Sequence, residues 1–92
     1  MEFEWDPRKD AFNQAKHRVS FSEAQHAFFD PNRVIRSDPK HSTRREKRFF
    51  CLGRVNDEVL TVRFTMRHSR IRIIGAGYWR EGRRYYEAKS EI

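Results

Sequence analysis

The sequence predicts an α+β fold of order β-α-α-β-β-β-β-α: an antiparallel sheet with its helices packed on one face. Three observations predict it. Two capped stretches of helical spacing follow a short alternating segment at the N-terminus. Beyond Pro31 the apolar period falls from near four to two. The connections between the later strands are short, which suits an antiparallel meander.

Phe3 and Trp5 alternate with Glu2, Glu4 and Asp6, so a first strand is expected at about residues 2–5. Asp6 followed by Pro7 reads as an N-cap and a first-turn proline. The helix they open runs to His17-Arg18 and places Ala11, Phe12 and Ala15 on one side. Ser20-Phe21-Ser22-Glu23 has the pattern of a capping box, and Phe21, Ala24, Ala27 and Phe28 follow at helical spacing up to Asp30-Pro31. Strands are then expected at 33–36, 46–55, 58–66 and 70–74. A polar loop over 37–45 and turns at Asn56-Asp57 and 67–69 separate them. Gly75-Ala76-Gly77 is expected to free the backbone before a last helix over 79–90, whose Gly82 costs about 1 kcal/mol against alanine.

The 92 residues suit one domain spanning 1–92. Eight Phe, three Tyr and two Trp can supply its core, which excludes global disorder. The lone cysteine, Cys51, excludes an internal disulfide and reads as a buried apolar residue of a reducing compartment. No apolar run approaches the length of about 18 residues that spans a bilayer, and the opening residues have no leader pattern. A cytoplasmic protein without a membrane partner is expected.

The formal charge is +7, and its distribution is uneven. Residues 1–32 carry four Lys or Arg against six Asp or Glu, whereas residues 33–92 carry sixteen against seven. Fifteen of the twenty cations are arginine, whose planar fork pairs with phosphate at two points and stacks on bases. A nucleic acid or an acidic protein is the partner this balance calls for.

In the run 59–67, Leu60, Val62, Phe64 and Met66 share the side that helices must cover, and Arg63, Thr65 and Arg67 share the other. Arg70 and Arg72 oppose Ile71 and Ile73 in the next strand. Paired across a tight turn, these strands would array four arginines beside Thr65, with no acid among them. Such a surface suits a chain of phosphates, though a solvated outer face shows the same alternation. In the loop, His41 is a candidate for proton transfer, with Glu46 placed to orient it. His17 reads as a residue that caps or packs at the first helix's end, and His26 and His68 carry no motif. No spacing of His, Cys or carboxylates resembles a metal site, and the glycine-rich stretch lacks the length and lysine of a nucleotide loop. No cofactor is therefore expected. Near the C-terminus Tyr78, Trp79, Tyr85 and Tyr86 interleave with Arg80, Arg83 and Arg84. Trp79 and Tyr86 suit a packing face, while Tyr78 and Arg80 are candidates for nucleic-acid contact.

Phe3-Glu4-Trp5-Asp6, Lys16-His17-Arg18-Val19-Ser20-Phe21, Phe28-Phe29-Asp30-Pro31, Asp38 with His41-Ser42, Val62-Arg63-Phe64-Thr65 with Arg67, Arg72-Ile73-Ile74 and Arg83-Arg84-Tyr85-Tyr86-Glu87 stand in an order and spacing that resemble the BrnT family of toxins. The resemblance implies a fold similar to RelE-type ribonucleases and a toxin of a type II toxin-antitoxin pair. It also implies neutralisation by a BrnA-like antitoxin and operator DNA bound only through the toxin-antitoxin complex. It implies RNA cleavage by attack of the ribose 2′-hydroxyl. Arg63, Arg67 and Arg72 would then meet phosphate and transition-state charge, His41 would serve as acid or base, and Thr65 and Arg70 would contact RNA. One departure stands out: family members often read Ser-Ala-Arg where this chain has Gly75-Ala76-Gly77, so an arginine of the site is missing unless Arg80 supplies it.

Two other readings stay open. A non-catalytic basic module would bind RNA or an acidic antitoxin with steep salt dependence and leave RNA uncut. A lone DNA-binding regulator lacks a recognition-helix pattern, because the two capped helices fall in the acidic third.

Overall fold

The computed structural model describes the backbone of residues 1–90 and the side chains of residues 1–89. Its elements are β1 (Phe3–Glu4), α1 (Pro7–His17), α2 (Phe21–Ala24, prolonged by a 3-10 segment, Gln25–Phe29) and β2 (Val34–Ser37). A 3-10 turn at Pro39–His41 follows, then β3 (Arg48–Val55), β4 (Glu58–Arg67), β5 (Arg70–Gly77) and α3 (Arg80–Ser90). The mixed α+β class is the one the sequence predicts.

The helix starts form as their caps require. The Asp6 carboxylate accepts from the Arg8 backbone N–H at 2.8 Å, and the Ser20 hydroxyl accepts from that of Glu23 at 3.0 Å. α1 ends on Arg18 at φ 59, whose N–H donates to the Gln14 carbonyl. Among the described residues, no helix is long and apolar enough to cross a membrane.

The sheet order is β1-β5-β4-β3-β2. Strands β2 to β5 pair antiparallel, whereas β1 runs parallel to β5 with Phe3 opposite Ile71 and Glu4 opposite Arg72. The sheet is therefore mixed, not wholly antiparallel as expected. The two hairpin turns use positive φ at both central residues, Asn56-Asp57 and His68-Ser69, as two-residue hairpin loops of matching twist do.

Helices lie on both faces of the sheet, which corrects the expectation of one. Val19, Phe21, Ala24 and Phe28 from the α1–α2 region pack on Cys51, Val62, Phe64 and Ile73. On the opposite face Tyr86 of α3 packs on Leu52 and Val59, with Val34, Phe50 and Tyr85 around them. Burial of an aliphatic side chain of this kind contributes about 1.5–3 kcal/mol. Gly82 makes the second contact possible: a Cβ there would meet the Thr61 hydroxyl and Leu52, so only glycine lets α3 close on the sheet. The Tyr86 hydroxyl donates to Asp30 at 2.7 Å, and the Arg54 N–H donates to the same carboxylate oxygen at 2.7 Å, which ties α3 to the end of the α2 segment. Burial raises the Asp30 pKa, but hydrogen bonds from Tyr86, Arg54 and Asn32 outweigh it and hold the carboxyl below its ordinary value.

Two further expectations fail. Ala11, Phe12 and Ala15 are exposed, and the buried residue of α1 is Asn13. The helix lies along the edge of β5 beyond β1. There Asn13 donates its amide to the Ala76 carbonyl at 2.9 Å and accepts from the Ala76 N–H at 3.1 Å. Its side chain thus bonds the β5 edge as a neighbouring strand would. Gly75-Ala76-Gly77 does not break the strand: these residues pair with Arg63, Val62 and Thr61, after an irregularity that leaves Ile74 unpaired.

Candidate nucleic-acid interface

α3 covers only part of the second sheet face. Past its edge the register stacks three cross-strand rows: Phe50, Arg63 and Gly75; Arg48, Thr65, Arg72 and Glu4; then Arg67 and Arg70. Because side chains alternate along a strand, Arg48, Arg63, Arg67, Arg70 and Arg72 share this open face. The four arginines predicted to stand together do so, and Arg48 joins them.

The strip is not free of acids, contrary to expectation. The parallel pairing of β1 brings Glu4 to Arg72 at 2.9 Å and to Arg70 at 3.7 Å, with Glu2 3.8 Å from Arg70. Glu46 bridges Arg48 at 3.3 Å and Arg67 at 3.6 Å. The hydrogen bond from Arg72 holds the Glu4 carboxyl below its ordinary value, so Glu4 stays ionised beside the strip. Pairs this open to solvent are screened by water and salt, so they hold the arginines only loosely. Arg63 differs from the rest: it has no ion pair among the described residues, and its Nε is buried without a hydrogen-bond partner.

Thr65 is withdrawn from this surface. It is 1% exposed and donates its hydroxyl to the Lys47 carbonyl at 2.7 Å, so it fastens β4 to the start of β3 beneath the arginines. Met66 on the other face is half exposed, since the covering helices stop short of the hairpin.

His41 pairs with Asp38, not with Glu46. Its Nδ1 lies 2.8 Å from an Asp38 carboxylate oxygen, and Asp38 is buried while the imidazole is partly exposed. The single 3-10 turn from Asp38-Pro39 places residues i and i+3 side by side. The turn is anchored on Arg48: the Asp38 N–H donates to the Arg48 carbonyl at 2.8 Å, and the Ser42 hydroxyl accepts from the Arg48 N–H at 2.8 Å. The pair thus stands at the head of the row that holds Thr65 and Arg72. A buried carboxylate on Nδ1 fixes the ring and leaves Nε2 for another partner. The Asp38-x-x-His41 spacing after a strand was the sequence signal for this pair.

Tyr78 and Arg80 are set apart from the strip. Tyr78 packs against the first core, and its hydroxyl donates to Glu23 at 3.1 Å. Burial and that carboxylate push its pKa up to about 12. Arg80 is exposed in a cleft with Arg54, Asp57, Glu58 and Arg83, at the Asn56-Asp57 end of the sheet and opposite the Arg67–Arg70 end. At Gly77 the Trp79 indole occupies the space a side chain would fill. Among the described residues no three His, Cys, Asp or Glu side chains are grouped to hold a metal ion.

A family model for BrnT, the ribonuclease toxin of type II toxin-antitoxin systems, matches residues 5–82. The chain belongs to the BrnT family. The matched segment includes the His41 turn, strands β2 to β5 and every arginine of the strip. Among curated proteins no relative matches the chain. Membership gives this BrnT chain an RNA target and an antitoxin partner as its family role. Glu4, which holds Arg72, lies just outside the matched segment, so its place in the site is read from geometry alone.

Proposed function

We propose that this BrnT chain cuts RNA on the open sheet face without a metal, and so inhibits translation in the cytoplasm until an antitoxin covers that face. The ribose 2′-oxygen attacks the adjacent phosphorus and the 5′-oxygen of the next nucleotide leaves, giving a 2′,3′-cyclic phosphate and a 5′-hydroxyl. Arg63, Arg67 and Arg72 neutralise the charge that builds on the phosphoryl oxygens, and Arg70 holds a flanking phosphate. His41, oriented by Asp38, moves a proton at one of the two ribose oxygens through Nε2. The observation that carries the reading is the shared face of these arginines, with the His41–Asp38 pair anchored at its head. A RelE-like fold, a BrnA-like antitoxin and operator binding only through the toxin-antitoxin complex complete the proposal, on the strength of the family resemblance.

Expression tests it. The chain should arrest growth, the neighbouring antitoxin gene should restore it, and Arg63→Ala or Arg67→Ala should abolish arrest while the variant still folds. Harmless expression of the wild-type chain would sink the proposal.

One observation favours a second reading, a basic module that binds without cutting: Arg67, Arg70 and Arg72 already pair with carboxylates. On that reading RNA or an acidic antitoxin displaces Glu2, Glu4 and Glu46, and incubated RNA stays whole.

A further inference from the structure

The acidic first third of the sequence nonetheless builds a basic groove. Asp6 to His17 of the α1 region and the Arg63–Gly75 row enclose a cleft of about 580 Å³, with Trp79 at one side. Its walls carry Arg8, Lys9, Lys16 and Arg63, together with Phe12 and Trp79. Its one acid, Asp6, is spent on capping α1 and on Arg8. Lys9, Lys16 and Arg63 have no ion pair among the described residues.

Three details point to a ligand. Arg63 lines the groove with a half-buried side chain, and neither an ion pair nor an acceptor for its Nε is found among the described residues. Phe12 is 66% exposed on the wall, with the Lys16 ammonium 5.8 Å from its ring centre, which is cation beside aromatic as single strands require. Trp79 is braced by Gly77 and by the His17 ring, set perpendicular to it with ring centres 5.2 Å apart, so its ring is already held in place. The groove is continuous with the arginine strip, because Arg63 belongs to both.

We propose that this groove is a nucleotide subsite of the RNA path: a base flanking the cleaved position stacks on Trp79 or Phe12, and its phosphate lies on Lys9 and Lys16. The inference rests on the reading of the open face as the RNA site and adds the direction in which the strand leaves it, across Arg63 towards α1. Single-stranded RNA fits better than a folded protein surface, since the groove is lined by the aromatic rings of Phe12 and Trp79 together with the cations Lys9, Lys16 and Arg63.

The test uses 2′-O-methyl oligonucleotides, which cannot be cut: a dinucleotide that spans the strip alone and a hexanucleotide that reaches the groove. Lys9→Ala combined with Lys16→Ala should weaken the hexanucleotide roughly tenfold or more and lower its salt slope by about 1–2, with the dinucleotide unaffected. Phe12→Ala, at an exposed position, should weaken the hexanucleotide alone. The Trp79 indole N–H resonance should shift on adding the hexanucleotide while that of Trp5, buried partly against Phe21, stays in place. Unchanged hexanucleotide affinity in these variants, with the wild type binding both probes, would overturn the subsite and leave the strip intact. Variants that lose a poly-glutamate peptide but keep the hexanucleotide would overturn it in favour of a protein partner. Failure of the wild type to bind either oligonucleotide would remove the reading of the face and this subsite together.

Discussion

The Glu4 carboxylate accepts a hydrogen bond from the Arg72 guanidinium at 2.9 Å across the parallel β1–β5 pair. Glu4 also lies 3.7 Å from Arg70, so one carboxylate both steadies and partly neutralises the strip. Glu4→Gln should therefore tighten an uncleavable oligoribonucleotide about twofold to fivefold at low salt, and the gain should fade as salt rises. Affinity that does not respond to the substitution would mean that RNA does not reach Arg72.

His41 and Asp38 act as a unit on this account. His41→Ala should slow RNA cleavage by roughly 10²–10⁴ and leave the affinity for uncleavable RNA within about twofold. Asp38→Asn keeps the shape of the turn but weakens the hold on Nδ1, so it should slow cleavage to a smaller extent. Equal rates for wild type and His41→Ala would place proton transfer on another group.

Asn13 carries the edge of β5 through its two bonds to Ala76 and a third to the Val19 carbonyl at 2.9 Å. Asn13→Ala would strand the buried Ala76 N–H and two carbonyls. The expected loss is about 3 kcal/mol, read from urea unfolding. A loss under about 1 kcal/mol would show that water or a shift of α1 satisfies these groups.

Asp30 links pH to the seating of α3. Its folded pKa lies below the ordinary 3.8, because hydrogen bonds from Tyr86, Arg54 and Asn32 outweigh the cost of burial. A carboxyl with a depressed folded pKa contributes stability that is full above the unfolded value and is lost as pH falls through the folded one. Melting temperature should thus fall as pH drops below about 4, and Asp30→Asn should flatten that fall. The same acid limb in wild type and variant would contradict the assignment.

Much of the fold could be read from the chain because local signals agreed with it. The Asp6 and Ser20 caps, the Asn56-Asp57 turn and the switch to alternating residues after Pro31 all sit where the sequence places them. The second covered face was hidden. Leu52, Val59 and Thr61 occupy the opposite phase to Cys51, Leu60 and Val62, and near-continuous burial marks a strand covered on both sides. Propensity alone makes Gly82 a cost to α3, although it is the position that lets α3 dock.

The site was legible to the same degree. Alternation in β4 and β5 located Arg63, Arg67, Arg70 and Arg72, because that rule is local. It could not foresee Glu4 beside Arg72, which depends on a parallel pairing across 68 residues, nor the Lys9 and Lys16 groove, which depends on where α1 lies. Thr65 has the right phase yet is buried under longer neighbours.

The most direct measurement is cleavage of a defined single-stranded RNA by the purified chain in the presence of a chelator. The same RNA with one 2′-deoxyribose at the cut position serves as control. The account predicts cutting of the all-ribose strand with a 2′,3′-cyclic phosphate end, no cutting at the deoxyribose, and a loss of roughly 100-fold or more in Arg72→Ala. An intact all-ribose strand, or an Arg72→Ala variant that cuts as fast as the wild type, would contradict it.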